Sequence, residues 1–453
     1  MTRSAWQIEC TALVKLALPI MATQVGMLFM GTVDALMVGR ISGTALAAVT
    51  LGNLYLWSLI IFGNGVLMAL DPLVSQAIGA GERAEARLSI QRGLVLALAL
   101  SIPTGLLVLV CEPLFVLFGQ PAEVIGPARD YCLASIPGIL PFLVFVVLRQ
   151  TLQAQSRTLA ILIVILVANI LNALANWVLI FGNLGCPSLG VVGSAWATTI
   201  CRWVLPFALL ALGWRDLRDL LRPWQAAAVR LRPLLRMLAL GTPIGVQFCL
   251  EMWAFAITAL FMGMLGKTEL AAHQPAINLA ALSYQVPVGI GAAAAVRVGY
   301  AVGRGEGLQR AALIPLAIAS LVMFVLGAVF LAFPQALAVM FIPGEPQVIA
   351  LAALLLPLAG LFQVFDGLQA VAAGVLRGTG DTRAPMISML VGFWFVGVPT
   401  SMVLGFDWGF GLGAVGLWWG LVVGLGAVAI FLLIRVRTRL GEEIRRTRLP
   451  PAA

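Results

Sequence analysis

The chain has 453 residues, of which 61% are hydrophobic and only 10% charged, with a mean hydropathy of +1.03. A soluble globule carries about 45–50% apolar and about 25% charged residues, and no core could hide this much apolar side chain behind so few charges. A soluble fold is excluded, and the net charge of +9 does not point to nucleic acid, because the basic residues are scattered along short connections instead of gathered with aromatics on one face.

Taken in chain order, twelve apolar runs are long enough to cross a bilayer, near 14–38, 46–70, 93–118, 131–149, 158–181, 190–213, 237–265, 270–296, 311–333, 348–376, 385–405 and 411–434. They lack the period-two alternation of barrel strands, and in lipid a helix satisfies its own backbone groups. The predicted fold class is an all-α polytopic membrane protein with twelve transmembrane helices. Arg3 and Lys15 precede the first run, which reaches Val38 with no small-residue cleavage site and so reads as a retained span, not a signal peptide. Of the 28 Lys and Arg residues, only Arg40, Arg129 and Lys267 fall in connections that follow odd-numbered spans, and Arg202 lies inside the sixth span. The rest line the termini and the other connections, which predicts that both termini are cytoplasmic.

The two halves repeat. Thr44-Ala45-Leu46-Ala47-Ala48 recurs 224 positions on as Thr268-Glu269-Leu270-Ala271-Ala272, Pro19 recurs as Pro243, and Gly79-Ala80-Gly81-Glu82 as Gly303-Arg304-Gly305-Glu306. Gly190-Val-Val-Gly193-Ser-Ala-Trp196 matches Gly413-Ala-Val-Gly416-Leu-Trp-Trp419 at an offset of 223. Ordered matches at nearly one offset imply two six-span lobes, 1–225 and 226–453. An even number of spans per repeat gives both the same sense in the membrane, related by a pseudo-two-fold axis along its normal. Between them, Trp214 to Arg236 reads as a basic interfacial linker with its arginines toward lipid phosphates. Asp216 and Asp219 in that linker form a DxxD pair, which among so many arginines reads as a solvated face.

An ionisable group at the bilayer centre costs about 2.5–3.5 kcal/mol by insertion scales, so each needs a partner or a water-filled cavity. Asp34, Glu251 and Asp366 stand out; Asp71 and Glu112 fall near span ends, where water is expected to reach them. Asn169, Asn172 and Asn176 are spaced i, i+3, i+7, one stripe of the fifth span, and with Thr198 they supply oxygens around Asp34. The bland reading of such a stripe is helix–helix glue at about 0.6 kcal/mol per contact. In the second half Gln247 shares a face with Glu251, Gln274 with Asn278 and Gln285, and Gln363 with Asp366. One polar cluster per half is expected.

Other features carry less. Six cysteines form no CxxC pair, so neither metal nor disulfide is expected. His273, the sole histidine, reads as a satisfied polar contact near the outer surface. Gly411-Leu-Gly-Ala-Val-Gly416 matches GxGxxG, but no strand precedes it, and close helix packing is the better reading.

These motifs together resemble the multidrug and toxic compound extrusion (MATE) transporters, in the NorM-like branch. The resemblance rests on Pro19 with Val33-Asp34 and Gly39, on Val74-Ser-Gln-Ala-Ile-Gly-Ala-Gly81, and on Leu171-Asn-Ala-Leu-Ala-Asn-Trp177. It is carried further by Glu251, Ala271-Ala-His-Gln274, Gln363-Val-Phe-Asp-Gly-Leu-Gln369 and Gly374-Val-Leu-Arg-Gly-Thr-Gly-Asp381. It implies antiport at the cytoplasmic (inner) membrane of a bacterium, with cationic or amphipathic drugs leaving as Na⁺ or H⁺ enters. It implies an N-lobe ion or proton site at Asp34, Asn172, Asn176 and Thr198, and a C-lobe site at Glu251 and Asp366, with Gln247, Gln274, Asn278 and Gln363 around it. Na⁺ is a possible occupant at Asp34, Glu251 and Asp366. Phe362 departs from the tyrosine expected four residues before Asp366, which puts C-lobe Na⁺ binding in question.

The expected partners are organic cations and membrane lipid, with no nucleic acid, no cofactor, no catalytic residue and a monomeric chain. The closest rival is a lipid-linked precursor flippase of the same superfamily, favoured if cationic side chains line the cavity; a passive channel is a further alternative.

Overall fold

The computed structural model describes residues 4–341 and 344–449. Twelve helices among them are long and apolar enough to span a membrane: α1 (Ala5–Val38), α2 (Gly43–Gly79), α3 (Arg83–Val108), α4 (Ala122–Ala154), α5 (Thr158–Phe181), α6 (Gly190–Leu221), α7 (Leu231–Leu265), α8 (Lys267–Arg304), α9 (Leu308–Ala332), α10 (Pro346–Gly378), α11 (Arg383–Gly405) and α12 (Gly413–Gly441). All twelve predicted runs correspond to helices, most of which extend past the run at one end or both. The third is shifted, not shortened: α3 begins at Arg83, ten residues before its run, and stops at Val108, and a separate short helix, Cys111–Leu117, follows. A matching short helix, Pro334–Phe341, precedes α10 at the repeat offset of 223. Gly81 and Gly305, 224 apart, end α2 and α8 in the left-handed region at φ of 77° and 76°, where a side chain is strained.

The linker is less extended than expected. α6 continues to Leu221 and α7 begins at Leu231, so Trp214 to Leu221 is helix and only a short turn separates the two. Buried Gln91 of α3 holds that turn: its amide nitrogen donates to the carbonyls of Leu221 (3.1 Å) and Pro223 (2.9 Å), and its oxygen accepts from the Gln225 amide (3.0 Å). Asp216 and Asp219 pair with Arg157 and Arg218, both at 3.3 Å.

The described residues pack as two compact units, and these divide differently from the lobes 1–225 and 226–453. One unit comprises α1 up to Met21 and the chain from Val246 to Thr447; the other comprises Ala22–Gly245 and the chain from Arg448. Both divisions fall inside a helix, at the repeat offset of 224, and each lies two residues beyond a proline, Pro19 in α1 and Pro243 in α7. Proline removes one helical hydrogen bond, so the rung is missing close to where the helix changes packing partners. Leu13, Leu16, Ala17 and Ile20, on one helical face, belong to the core of the C-lobe unit. Met237 is buried in the core of the N-lobe unit, where Gly241 and Gly245 bring α7 against the Val66 and Phe62 carbonyls too closely for a Cβ.

The glycine pattern read as a packing motif is one. A Cβ at Gly416 would collide with the Leu404 carbonyl, and its repeat mate Gly193 meets Leu179 in the same way. In the C-lobe unit α11 is a π-helix over Leu390–Gly397, where Gly392 and Gly397 admit Gly424 of α12.

Candidate functional site

The N-lobe unit holds a carboxylate set among three helices. Asp34 of α1 is 6% exposed; its Oδ1 accepts from Asn176 Nδ2 at 2.5 Å and its Oδ2 from Thr198 Oγ1 at 2.9 Å. Asn176 Nδ2 also reaches Asn172 Oδ1 at 3.3 Å, one turn back along α5. Of the four residues expected around this acid, Asn172, Asn176 and Thr198 are therefore brought to it. Asn169, the third member of the stripe, is glue: its Nδ2 donates to the Gly26 carbonyl at 3.0 Å and to Ile165 at 2.9 Å. One turn beyond Thr198, the buried Arg202 guanidinium lies 5.5 Å from the Phe142 ring centre, and Asp34 and Tyr131 are its electrostatic partners.

The C-lobe unit holds a second cluster, with two acids. Tyr284 Oη donates to Glu251 Oε1 at 2.8 Å. Gln369 Nε2 is shared among Glu251 Oε1 (3.4 Å), Tyr284 Oη (3.3 Å) and Asp366 Oδ1 (3.2 Å). Gln363, one turn before Asp366, accepts from Ser283 Oγ at 2.7 Å. Gln247 is buried, but no hydrogen bond among the described residues joins it to this network. Gln274 and Asn278 are exposed on α8, and no hydrogen bond among the described residues joins them to this network. Tyr284 and Gln369 are the members that the reading of the sequence passed over. Gln369 carried a signal, three residues after Asp366 on the same helix face, and Tyr284 is one of only four tyrosines in the chain.

Phe362 faces a different task from the one expected of that position. It is 1% exposed and packs edge-on against Phe255 (5.9 Å) and Trp418 (6.0 Å), so its site is apolar. The phenol missing there is supplied to the acids by Tyr284, from α8. His273 departs from expectation as well. It is buried against Trp418, at 5.6 Å between ring centres, and its Nδ1 has no hydrogen-bond partner among the described residues.

Asp71 is also buried, 3% exposed, because α2 runs on to Gly79 and encloses it two turns from the helix end. Arg149 of α4, 6% exposed, counts Asp71 among its electrostatic partners and makes long contacts to Asn64 Oδ1 (3.5 Å) and Met27 Sδ (3.7 Å). Glu112, by contrast, is half-exposed and paired with Arg129 at 3.2 Å.

Two six-span repeats, each contributing carboxylates within its spanning helices, define a multi-pass helical membrane protein of the kind in which paired repeats move solutes. Known proteins agree. Residues 19–178 and 243–403 each match the MatE family, two copies beginning 224 apart. The chain is 38% identical to the probable multidrug resistance protein NorM of Mesorhizobium japonicum, over 98% of this chain and 96% of that one. It is 36% identical to the probable NorM of Pseudomonas putida, over 97% of each. The solved fold of the eukaryotic MATE transporter AtDTX14 superposes with a TM-score of 0.87 at 24% identity, over 96% of each chain. The bent form of the Vibrio cholerae MATE transporter VcmN gives 0.85 at 17%, over 97% of this chain and 99% of that one. The chain belongs to the MatE family, in its NorM-like branch.

Proposed function

We propose that this protein is a secondary active multidrug efflux antiporter of the cytoplasmic (inner) membrane, exporting cationic and amphipathic compounds in exchange for Na⁺ or H⁺ by alternating access. The observation that carries the reading is the C-lobe cluster. Glu251 and Asp366 share one amide, and neither has a basic side chain among its electrostatic partners in the described residues. Two carboxylates so placed repel each other unless a cation or a proton sits with them. A small ion and an organic cation then compete for the same negative charge, and each displaces the other. That competition converts an inward ion gradient into outward movement of drug.

The basic connections support cytoplasmic termini, the protein acts as a monomer without a catalytic centre or cofactor, and its named relatives are multidrug resistance proteins. The test is efflux of a fluorescent organic cation from proteoliposomes, driven in turn by a Na⁺ gradient and by a pH gradient. Uphill movement under at least one gradient is expected. Equilibration that stops at equal concentrations under both would make the protein a passive channel.

A further inference from the structure

The two ends of the Gln369 amide are used unequally. The residue is buried on α10, and its Nε2 lies among three oxygens from three helices: Glu251 Oε1 of α7 at 3.4 Å, Tyr284 Oη of α8 at 3.3 Å, and Asp366 Oδ1 of its own helix at 3.2 Å. A side-chain amide nitrogen carries only two hydrogens, so three acceptors share them. All three distances stand at or past the long end of the usual N–H···O range of about 2.7–3.2 Å. The nitrogen is therefore suspended among the oxygens instead of bonded closely to one. The other end is idle: Gln369 Oε1 is buried with no hydrogen-bond partner among the described residues. An orphaned buried acceptor is costly, and the amide keeps that cost while its positive end faces the acids.

We propose that Gln369 is a built-in competitor for the coupling ion: its amide nitrogen holds the place between Glu251 and Asp366 that the incoming cation takes, and loading displaces it. Both carboxylates lie within 3.4 Å of this one atom, and charged groups so placed need positive charge between them. The N–H pair supplies part of that charge while the site is empty, and a cation or proton supplies more. Long, shared bonds and an idle oxygen make the amide a weak occupant, one that a full charge dislodges. Gln369 thereby sets how tightly the cluster loads. Without it the empty acids lack donors, so the ion binds more tightly and leaves more slowly. The inference rests on the antiport reading for the use of this cluster as an ion site, and it names the residue that tunes the site.

The test compares loading of the full-length protein with and without the amide. Radiolabelled Na⁺ binding in detergent reads the metal ion, and the carboxylic C=O infrared band, followed against pH, reads the proton. The cluster's share of each signal is the part that Glu251→Gln/Asp366→Asn removes. Gln369→Met keeps the side chain's length without its donors, and it should raise affinity for Na⁺ or for the proton at least about tenfold, with slower turnover in proteoliposomes. Unchanged affinity for both ions overturns the proposal, and weaker loading overturns it by making Gln369 a ligand. A second readout needs no variant at 369: in wild-type protein carrying ¹³C-labelled glutamine, loading should shift a side-chain amide band, and the shift should vanish in Glu251→Gln/Asp366→Asn. Glutamine bands that stay still while the acids load overturn the proposal. Uphill pumping by the wild-type protein, with loading unaltered in Gln369→Met, sinks the competitor alone. Wild-type protein that loads its acids but pumps under no gradient sinks the antiport reading alone, and acids that take up neither ion sink both.

Discussion

Tyr284 of α8 donates its hydroxyl hydrogen to Glu251 of α7 at 2.8 Å, so the phenol that serves the C-lobe acids comes from a different helix than the family resemblance leads one to expect. Hydrogen bonds to charged groups are worth about 1.5–3 kcal/mol. Tyr284→Phe is expected to weaken ion-driven efflux about tenfold while leaving the amount of folded protein unchanged, measured as initial rates in proteoliposomes. Wild-type rates in that variant would remove the phenol from the ion cluster.

The reciprocal change should fail to help. Phe362→Tyr places a hydroxyl between Phe255 and Trp418, where burying an unpaired polar group costs about 1–3 kcal/mol. A lower thermal midpoint in detergent is expected, with no gain in Na⁺-driven transport.

The two C-lobe acids are expected to act as one unit because Gln369 bonds both. Glu251→Gln and Asp366→Asn should each reduce ion-driven efflux by more than about tenfold, equivalent to about 1.4 kcal/mol or more. The double variant should be little worse than either single one, since groups that act together are not additive. Full activity in either single variant contradicts the assignment.

In the N-lobe unit, Asp34→Asn removes the negative charge and turns one of the two oxygens that accept from Asn176 and Thr198 into a donor. Impaired coupled efflux is expected. Asn176→Ala should impair it as well, and the combined variant should show a coupling energy of about 0.5–3 kcal/mol in a double-mutant cycle. Strict additivity would mean that the two side chains act separately.

Gly416 is a packing residue. A Cβ there meets the Leu404 carbonyl, so Gly416→Val should destabilise the protein by about 1–3 kcal/mol, read as thermal unfolding. Gly126→Ala in α4 meets nothing within 4 Å and should be neutral or slightly stabilising.

Much of this architecture was legible before any coordinates. Runs of apolar residues must be helices in lipid, and a fixed offset of 224 must mark a repeat, so twelve spans in two halves followed from solvent and periodicity. The Asp34 cluster was legible too, because Asn172 and Asn176 lie one helical turn apart and the acid is rare in its setting. The helix ends were not, because charge-bearing segments such as Trp214 to Leu221 continue a helix once tertiary contacts hold them.

Composition and local spacing determined the solvent, the helices, the repeat and which acids lie within the spans, since each depends on a residue and its near neighbours along one chain. Only the tertiary structure decided that Tyr284 and not position 362 meets the acids, that Asn169 is glue, and that His273 and Asp71 are enclosed. It alone divided the packing inside α1 and α7. Each of these is a meeting of residues far apart in the chain, and the facing of one helix toward another is set by how whole surfaces interlock.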